Sequence, residues 1–560
     1  MTIPLTEQSN GQSTTKIGII GAGASGLAQL QQLLEIWEGK SEVSERSKLE
    51  IVVFESKDDV GGVWLTDDQS KPNIRTHMPS KSNGSLNGNS ERDEVEETYS
   101  YPPARENPSP MYQGLRTNLP HDLMAFRGYP FPENTPLFPK QELVERYLQS
   151  FADHYSLRQY IRFSTRVERV YLSDTANAPS RRRWTIESHG LDDDDRRQEE
   201  FDYVVVSNGH YSDGWIPKLG GLSFFPGELI HSRFFHRASD YHGKTVLVVG
   251  SFASGGDISR ILGSENLATQ EADSAPGNGP SQRIIVYVST SGYTQYSALE
   301  GPWAKYITHV PLISHLSPPS ADRPKGVIHF EEDEKTHENL ELNDVDVIIF
   351  ATGYNFMFPF FRPEDRPWNT TQLSEGEIKI GERDNGDKWE EGGIKGQGVE
   401  GLDELLLFLK GDRTISFPTL SYQNVPFPLA QVQARFTAYL WAGLLPNLPD
   451  LIKLPPNPSN PYSQIETNEE STNGYSEITK DKGQIDPPQP ATKPRKVLQR
   501  IKQLVFGAPY EWTYSEFLMD FMTRSDEERG VKTEDYWEKV EQFRRDQRAD
   551  TDLRKRTLGY

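Results

Sequence analysis

The run Lys16-Ile17-Gly18-Ile19-Ile20-Gly21-Ala22-Gly23-Ala24-Ser25-Gly26-Leu27 decides how this chain folds. Ile17 to Ile20 form a short apolar stretch, and Leu27, Leu30, Leu34 and Trp37 follow at helical spacing, so the glycines fall at a strand-to-helix turn. In such a turn Gly21 permits the sharp reversal, Gly23 lets a pyrophosphate approach the backbone, and Gly26 lets helix and strand pack closely. Ala24 and Ser25 open the helix, whose first N–H groups lack partners of their own and face the anion. A second apolar run, Ile51-Val52-Val53-Phe54, ends in Glu55, an acceptor for the two hydroxyls of a ribose. Strand, glycine turn, helix, strand and terminal acid together make the first half of a dinucleotide-binding fold. Gly61-Gly62-Val63-Trp64 follows at once, with Gly62 and Trp64 as candidates to wall the ring end of a ligand.

The pattern then returns. Lys244-Thr245-Val246-Leu247-Val248-Val249 runs into Gly250-Ser251-Phe252-Ala253-Ser254-Gly255-Gly256-Asp257 and a helix through Ile258, Ile261 and Leu262. The next strand, Ile284 to Val288, ends in Ser289-Thr290-Ser291 instead of an acid. A carboxylate suits a free ribose diol and repels a 2′-phosphate, whereas hydroxyls tolerate the phosphate. The first unit is therefore expected to hold FAD through Gly21, Gly23, Ala24, Ser25, Gly26, Glu55, Gly62 and Trp64. The second is expected to hold NADPH, in preference to NADH, through Gly250, Ser251, Phe252, Ala253, Ser254, Gly255 and Asp257. No arginine directly follows Val288 to grip the phosphate, which leaves that task to Arg260 or a distant lysine.

Between and after these units, Tyr112-Gln113-Gly114-Leu115-Arg116-Thr117-Asn118-Leu119-Pro120 reads as an ordered turn. Pro139 suits the first turn of a helix through Leu143, Tyr147, Leu148 and Phe151, and short strands are expected at 161–163, 167–170, 184–186 and 203–206. Ser207-Asn208-Gly209-His210 closes the first half of the chain. Gly263 to Ser281 reads as a loose insertion. Val345 to Ala351, leading into Thr352-Gly353-Tyr354, is expected to return the chain from the second unit to the first, and a late helix carries Gln433 back as a flavin contact. A helix with Phe517, Leu518, Phe521 and Met522 and a charged helix from Glu534 to Arg554 follow, the former as core packing. The expected fold class is α/β with two Rossmann-like dinucleotide-binding domains, the second inserted into the first, and polar surface insertions. The boundaries are 1–208 (with 67–110 a disordered insertion) and 344–451 for FAD, 209–343 for NADPH, 452–496 for a linker, and 497–560 for a C-terminal helical segment.

Composition narrows the partners. The 560 residues carry a formal net charge of -22, which argues against nucleic acid or an anionic membrane surface. The longest apolar strand is bracketed by Asp344, Asp346 and Gly353, far short of a membrane span, and the polar N-terminal residues lack the pattern of a signal peptide. A cytoplasmic protein acting on a small molecule is expected, with a homodimer as the candidate assembly. Cysteine is absent. A flavoprotein that passes electrons through a redox disulfide needs thiolates, so that branch is closed, along with cysteine-based zinc and iron–sulfur sites. No metal is expected.

Taken together these stretches resemble the flavin-containing monooxygenases, nearest to the soluble fungal and the plant S-oxygenating members. Gly21 to Gly26 resembles the family's FAD motif, Phe225-x-Gly227-x-x-x-His231-x-x-x-Phe235 its fingerprint, and Phe350-Ala351-Thr352-Gly353-Tyr354 its FATGY-like motif. Leu115 to Pro120, Ser207 to Tyr211 and Phe252 to Arg260 are also similar to it. One departure is Phe252, which stands where the middle glycine of the second turn is wanted, as in the plant members. The resemblance implies an FAD- and NADPH-dependent enzyme that uses dioxygen to oxygenate a soft nucleophile, a thioether, thiol or amine, through a C4a-hydroperoxyflavin. It places Asn118 beside the flavin as the catalytic residue, with Thr117, Ser207, Asn208, Gly209, Thr352, Gly353 and Gln433 around the cofactors, and makes His231 a linker element. Two rival readings stay open: a Baeyer–Villiger monooxygenase, whose fingerprint has Trp in place of Phe235, and a flavin-binding protein that does not oxygenate.

Overall fold

Both apolar runs that precede the glycine turns form central strands with parallel neighbours on either side. The computed structural model describes residues 13–66, 109–173, 184–273, 283–332, 340–373, 394–458 and 504–558, apart from short breaks inside these spans, with 381–382 and 388–389. Most of the expected insertion at 67–110 and of the linker at 452–496 lies outside the described residues. The first sheet has six strands in the order 408–409, 412–416, 203–206, 13–20, 47–54 and 161–162. Ser13–Ile20 pairs in parallel with Ser47–Phe54 on one side and with Tyr203–Val206 on the other. The second sheet has five strands in the order 307–310, 285–289, 245–249, 347–350 and 228–231. All its pairings are parallel. A parallel sheet is covered on both faces, and accordingly Ile17, Ile19, Val204, Val205, Val246, Leu247, Val248, Ile348 and Ile349 are fully buried.

The strand Val347–Phe350 corrects one expectation. It does not lead back into the first sheet; it lies in the second, between Thr245–Val249 and Glu228–His231. There it takes the place that Tyr203–Val206 takes in the first sheet, and an aspartate marks the match. Asp202 Oδ2 accepts from the Lys16 N–H at 2.9 Å, and Asp346 Oδ2 accepts from the Thr245 N–H at 2.9 Å. In each case the carboxylate aligns the returning strand with the start of the central one. Among the described residues the chain therefore rejoins the first sheet through Phe408–Leu409 and Asp412–Ser416.

The helix after the first turn, Ala24–Gly39, is covered by Pro426–Trp441, and that helix in turn by Tyr510–Glu528. Polar side chains at this contact are matched across it: Gln29 donates to the Ala434 carbonyl at 3.2 Å, and Arg435 donates to Gln32 at 2.9 Å and to Glu35 at 2.6 Å. Leu518 and Met522 are buried there, as core packing requires, with Phe517 and Phe521 packed against the same core. Three further expectations shift. The helix expected at Pro139 begins at Gln141 and ends at His154. The stretch expected to be loose from Gly263 is helical as far as Asp273, with Gly263 against Trp303. The charged run from Glu534 is broken into Asp535–Glu538, Gln542–Ala549 and Leu553–Leu558. Among the described residues no helix is long and apolar enough to cross a membrane.

Candidate functional site

The two glycine turns repeat one another contact by contact. Gly21 has φ +98° and Gly250 φ +102°, values open to glycine and costly for other residues. A Cβ on Gly21 would lie 2.5 Å from the Ser207 carbonyl oxygen, and one on Gly250 would lie 2.6 Å from that of Ala351. A Cβ on Gly26 would lie 1.9 Å from the Gly21 carbonyl oxygen, and one on Gly255 would lie 1.9 Å from that of Gly250. Both turns are fastened to the end of the neighbouring strand, Gly21 N–H to Phe54 O at 2.8 Å and Gly250 N–H to Ser289 O at 2.9 Å. Each sits where the sheet has a neighbour on either side of its central strand, the switch point at which parallel sheets leave a crevice. Gly23 faces that space with only Gly62 within 4 Å of where its Cβ would be.

The next residue beyond each fastening point differs, as the sequence anticipates. Glu55 Oε2 accepts from the Ala22 N–H at 2.6 Å and Oε1 from the Lys57 N–H at 2.9 Å, so the acid that is expected to bind a ribose also braces the turn. Burial pushes its carboxyl above the usual range, against the pull of those two N–H groups. In the second unit the same brace is made by hydroxyls: Ser251 Oγ lies 2.8 Å from Thr290 Oγ1. Ser251 thus turns toward the strand end. Phe252 does not fill the crevice either; its ring is 47% exposed and meets Tyr296 edge to face at 4.9 Å.

The loops after the returning strands correspond too. Gly209 and Gly353 have φ +74° and +92°. Asn208 donates to the Met357 carbonyl at 2.8 Å, and Thr352 donates to the Trp215 carbonyl. His231 explains much of the fingerprint. Its Nδ1 accepts from the Arg233 N–H at 3.2 Å, which leaves the proton on Nε2 to donate to the Gly353 carbonyl at 2.9 Å. The ring is fully buried and its pKa is pushed down to about 4 by desolvation, so it is neutral and holds the loop in place. Gly227 is required because a Cβ there would lie 2.3 Å from the Asp346 carbonyl oxygen, and Phe235 is buried against Tyr112 and Tyr241. The fingerprint residues therefore assemble the second sheet.

Gln433 is buried, with Oε1 accepting from the Thr419 N–H at 2.8 Å and Nε2 donating to Tyr514 Oη at 3.0 Å. It reaches the first turn through Thr419, a residue that nothing in the sequence singled out. Thr419 has φ +62°, strained for a β-branched residue, and its hydroxyl lies 3.2 Å from Ser25 Oγ. His210, buried and pushed down to about 4 by desolvation, also bonds the Thr419 backbone and stacks on Phe356. The late helix is thus joined to the first glycine turn by a chain of hydrogen bonds.

Thr117 is buried and its N–H is held by the Pro139 carbonyl at 3.0 Å, whereas Asn118 beside it is exposed and lines a cavity. The opposite wall is the helix of the second turn, with Ala253, Gly256 and Asp257. So Asn118 and the second unit meet, and Trp64, half-buried in the first core, stands apart from that cavity. A third wall, absent from sequence reasoning, comes from Arg548 to Lys555 near the C-terminus. Among the described residues no group of three or more His, Asp or Glu could hold a metal.

Residues 101–295 match the model of the family described as flavin-binding monooxygenase-like. Over these residues the chain is similar to that family. Over 356 residues it is 29% identical to flavin-containing monooxygenase FMO GS-OX5 of Arabidopsis thaliana, covering 62% of each chain. Over 376 residues it is 29% identical to flavin-containing monooxygenase iboF of Amanita muscaria, covering 62% of this chain and 65% of that one. The chain therefore aligns with a little under two thirds of the length of these family relatives. The fold matches that of the S-allyl-L-cysteine S-oxygenase from Allium sativum with a TM-score of 0.57 at 21% identity, covering 97% of this chain and 93% of that one.

Proposed function

We propose that the chain is an FAD- and NADPH-dependent monooxygenase that inserts one oxygen atom of dioxygen into a soft nucleophile, a thioether, thiol or amine. The observation that carries this reading is the repeated glycine turn, one braced by a carboxylate and the other by hydroxyls, together with an exposed asparagine across a cavity from the second. On this reading the strands at 13–54, 161–162, 203–206 and 408–416 belong to an FAD domain, and 228–350 to an NADPH domain inserted within it.

The residues present fit both groups. The first turn leaves an open approach at Gly23, and the buried Ser207 Oγ beside that turn, like the buried Thr117 Oγ1 next to Asn118, has no hydrogen-bond partner among the described residues. An unpaired buried hydroxyl costs about 1–3 kcal/mol, which a bound polar ligand relieves. Gly21, Gly23, Ala24, Ser25 and Gly26 would cradle the FAD pyrophosphate, and Glu55 keeps acceptor capacity for the ribose after bracing Ala22 and Lys57. Gly62, Trp64, Ser207, Asn208, Gly209 and Gln433 would shape the rest of that pocket. Gly250 to Gly255 would cradle NADPH, with Asp257, Thr352 and Gly353 behind it. When bound, NADPH supplies a hydride and FAD the two-electron redox chemistry that makes dioxygen an oxygen donor. The protein's part is to orient the two groups, keep bulk water out, and offer a hydrogen-bond donor at the reacting oxygen, the task assigned to the Asn118 amide. The absence of cysteine removes a competing nucleophile from the site.

The test is direct. Purified protein should be yellow, its flavin absorbance should bleach anaerobically on addition of NADPH, and aerobic turnover should convert a thioether or a tertiary amine to its oxide. Colourless protein that takes up no added flavin refutes the reading, and lactone formation from a cyclic ketone without sulfoxidation would replace it with a Baeyer–Villiger activity.

A further inference from the structure

The third wall of the cavity is made by a segment fastened very differently at its two ends. Gln542–Ala549 is held on the side of the first sheet by several strong bonds. Arg544, nearly fully buried, donates to the Leu123 carbonyl at 2.7 Å and to the Ala125 carbonyl at 3.2 Å. Gln547 donates to Asp122, and Arg548 donates to the buried Glu511 at 2.7 Å and to the Gln423 carbonyl at 3.0 Å. The bonds of Arg544 and Gln547 fix the turn 121–125, which begins three residues after Asn118. Beyond Asp550, the short helix Leu553–Leu558 crosses to the second unit. There Arg554 meets Asp257 Oδ1 at 3.3 Å, and Lys555 meets the exposed Glu300 at 3.7 Å.

Asp257 is a junction. Besides Arg554 it accepts from Tyr112 Oη at 3.0 Å and from Arg260 at 2.6 Å. Burial and the neighbouring carboxylate push the Tyr112 phenol up, so it stays protonated and donates. Asp257 lies in the first turns of the helix that the second glycine turn starts, and Gly255, which packs onto Gly250, is two residues before it. Whatever steadies that turn steadies Asp257, and with it the far end of the C-terminal segment.

We propose that residues 542–558 form a strap over the Asn118 cavity, hinged on the first unit by Arg544, Gln547 and Arg548 and latched to the second by Arg554 on Asp257, so that a dinucleotide seated at the second glycine turn fastens the strap. Arg554 is a positioning residue: it acts through Asp257 and the segment it closes. The inference rests on the second turn being the nicotinamide-dinucleotide site. Because coupling between two binding events is reciprocal, loosening the latch must weaken the dinucleotide by the same factor by which the dinucleotide tightens the latch.

The experiment is hydrogen exchange on the full-length flavin-loaded protein, with and without NADP⁺, for the natural sequence and for Arg554→Ala and Arg554→Lys. In the natural protein NADP⁺ should slow amide exchange in 553–558 and leave 542–549 nearly unchanged. Arg554→Ala should raise exchange in 553–558 already without nucleotide, abolish the response to NADP⁺, and weaken NADP⁺ by about 5- to 20-fold. Its flavin content should stay normal, and Arg554→Lys should recover part of the response. In turnover the Ala variant should raise KM for NADPH more than it lowers kcat. NADP⁺ binding, followed by perturbation of the flavin spectrum, with no change in 553–558 exchange overturns the strap while leaving the dinucleotide reading intact. Flavin-loaded protein that does not respond to NADP⁺ at all overturns both.

Discussion

Replacing Gly26 and Gly255 separately by alanine tests whether the two turns hold different ligands. In both, the added Cβ would sit 1.9 Å from the carbonyl oxygen at the start of the turn, and ordinary contact begins near 3.4 Å. Turn and helix must therefore separate by about 1.5 Å, into backbone that neither rotamer change nor side-chain motion can relieve. Overpacking of this kind costs about 1–3 kcal/mol, set against up to about 1 kcal/mol recovered from alanine's better helix propensity. The displaced atoms are those that would face the pyrophosphate, so the net strain of about 0–3 kcal/mol falls on binding: at 1.4 kcal/mol per tenfold, up to about 150-fold in affinity. Gly39→Ala is the control, since it lies at the end of the same helix with nothing within 4 Å of its Cβ position. The assay is the ratio of flavin to protein absorbance after purification, an NADP⁺ titration, and circular dichroism to confirm folding. Gly26→Ala should emerge with little FAD; Gly255→Ala should keep its FAD and bind NADP⁺ weakly; Gly39→Ala should match the natural protein. Full flavin occupancy in Gly26→Ala, or loss of flavin in Gly255→Ala with NADP⁺ binding intact, would refute the assignment of the turns.

Asn118→Ala should retain FAD and consume NADPH while releasing hydrogen peroxide in place of oxygenated product; a peroxide assay showing unchanged coupling sinks the role given to its amide. Gln433→Leu removes the acceptor for the Thr419 N–H and the donor to Tyr514, so it should lower unfolding free energy by about 1–3 kcal/mol and reduce flavin occupancy, measured by denaturant titration and absorbance. His231 and His210, both pushed down to about 4 by burial, are neutral in the folded protein and titrate near 6.5 when unfolded. Between those values the unfolded chain binds more protons, so stability should be complete above about pH 6.5 and fall as pH drops toward 4, by on the order of 3 kcal/mol per histidine. Melting temperatures that stay flat across that range would contradict the neutral, buried assignment.

How much of this was legible beforehand follows from the range of each interaction. The glycine turns, their strands and Glu55 were readable because a φ near +100° and a Cβ-free approach leave a mark at the residue itself. The Thr290 hydroxyl was readable as the second unit's substitute for the acid for the same local reason. The sheet that the returning strand joins is not legible locally, since an apolar run such as Val345 to Ala351 looks identical whichever sheet it completes; the Asp346 to Thr245 bond that settles the matter joins residues about a hundred positions apart. Gly263 looked like a break and is tolerated within a helix because Trp303 packs on its bare face. Thr419 left no sequence signal, because its strained backbone is imposed by partners from the late helix and the first returning loop.

Local chemistry therefore determined that the chain carries two glycine turns between strand and helix, that a carboxylate follows the strand beside one and hydroxyls the strand beside the other, and that the chain holds no thiol. Tertiary structure alone decided what surrounds those turns: that Asn118 lines a cavity with the second helix, that Gln433 acts on the first turn through Thr419, and that residues 547–555 line the same cavity. The first group depends on covalent geometry and neighbours within a few residues. The second depends on side chains meeting across hundreds of positions, where only the packed core specifies the distance.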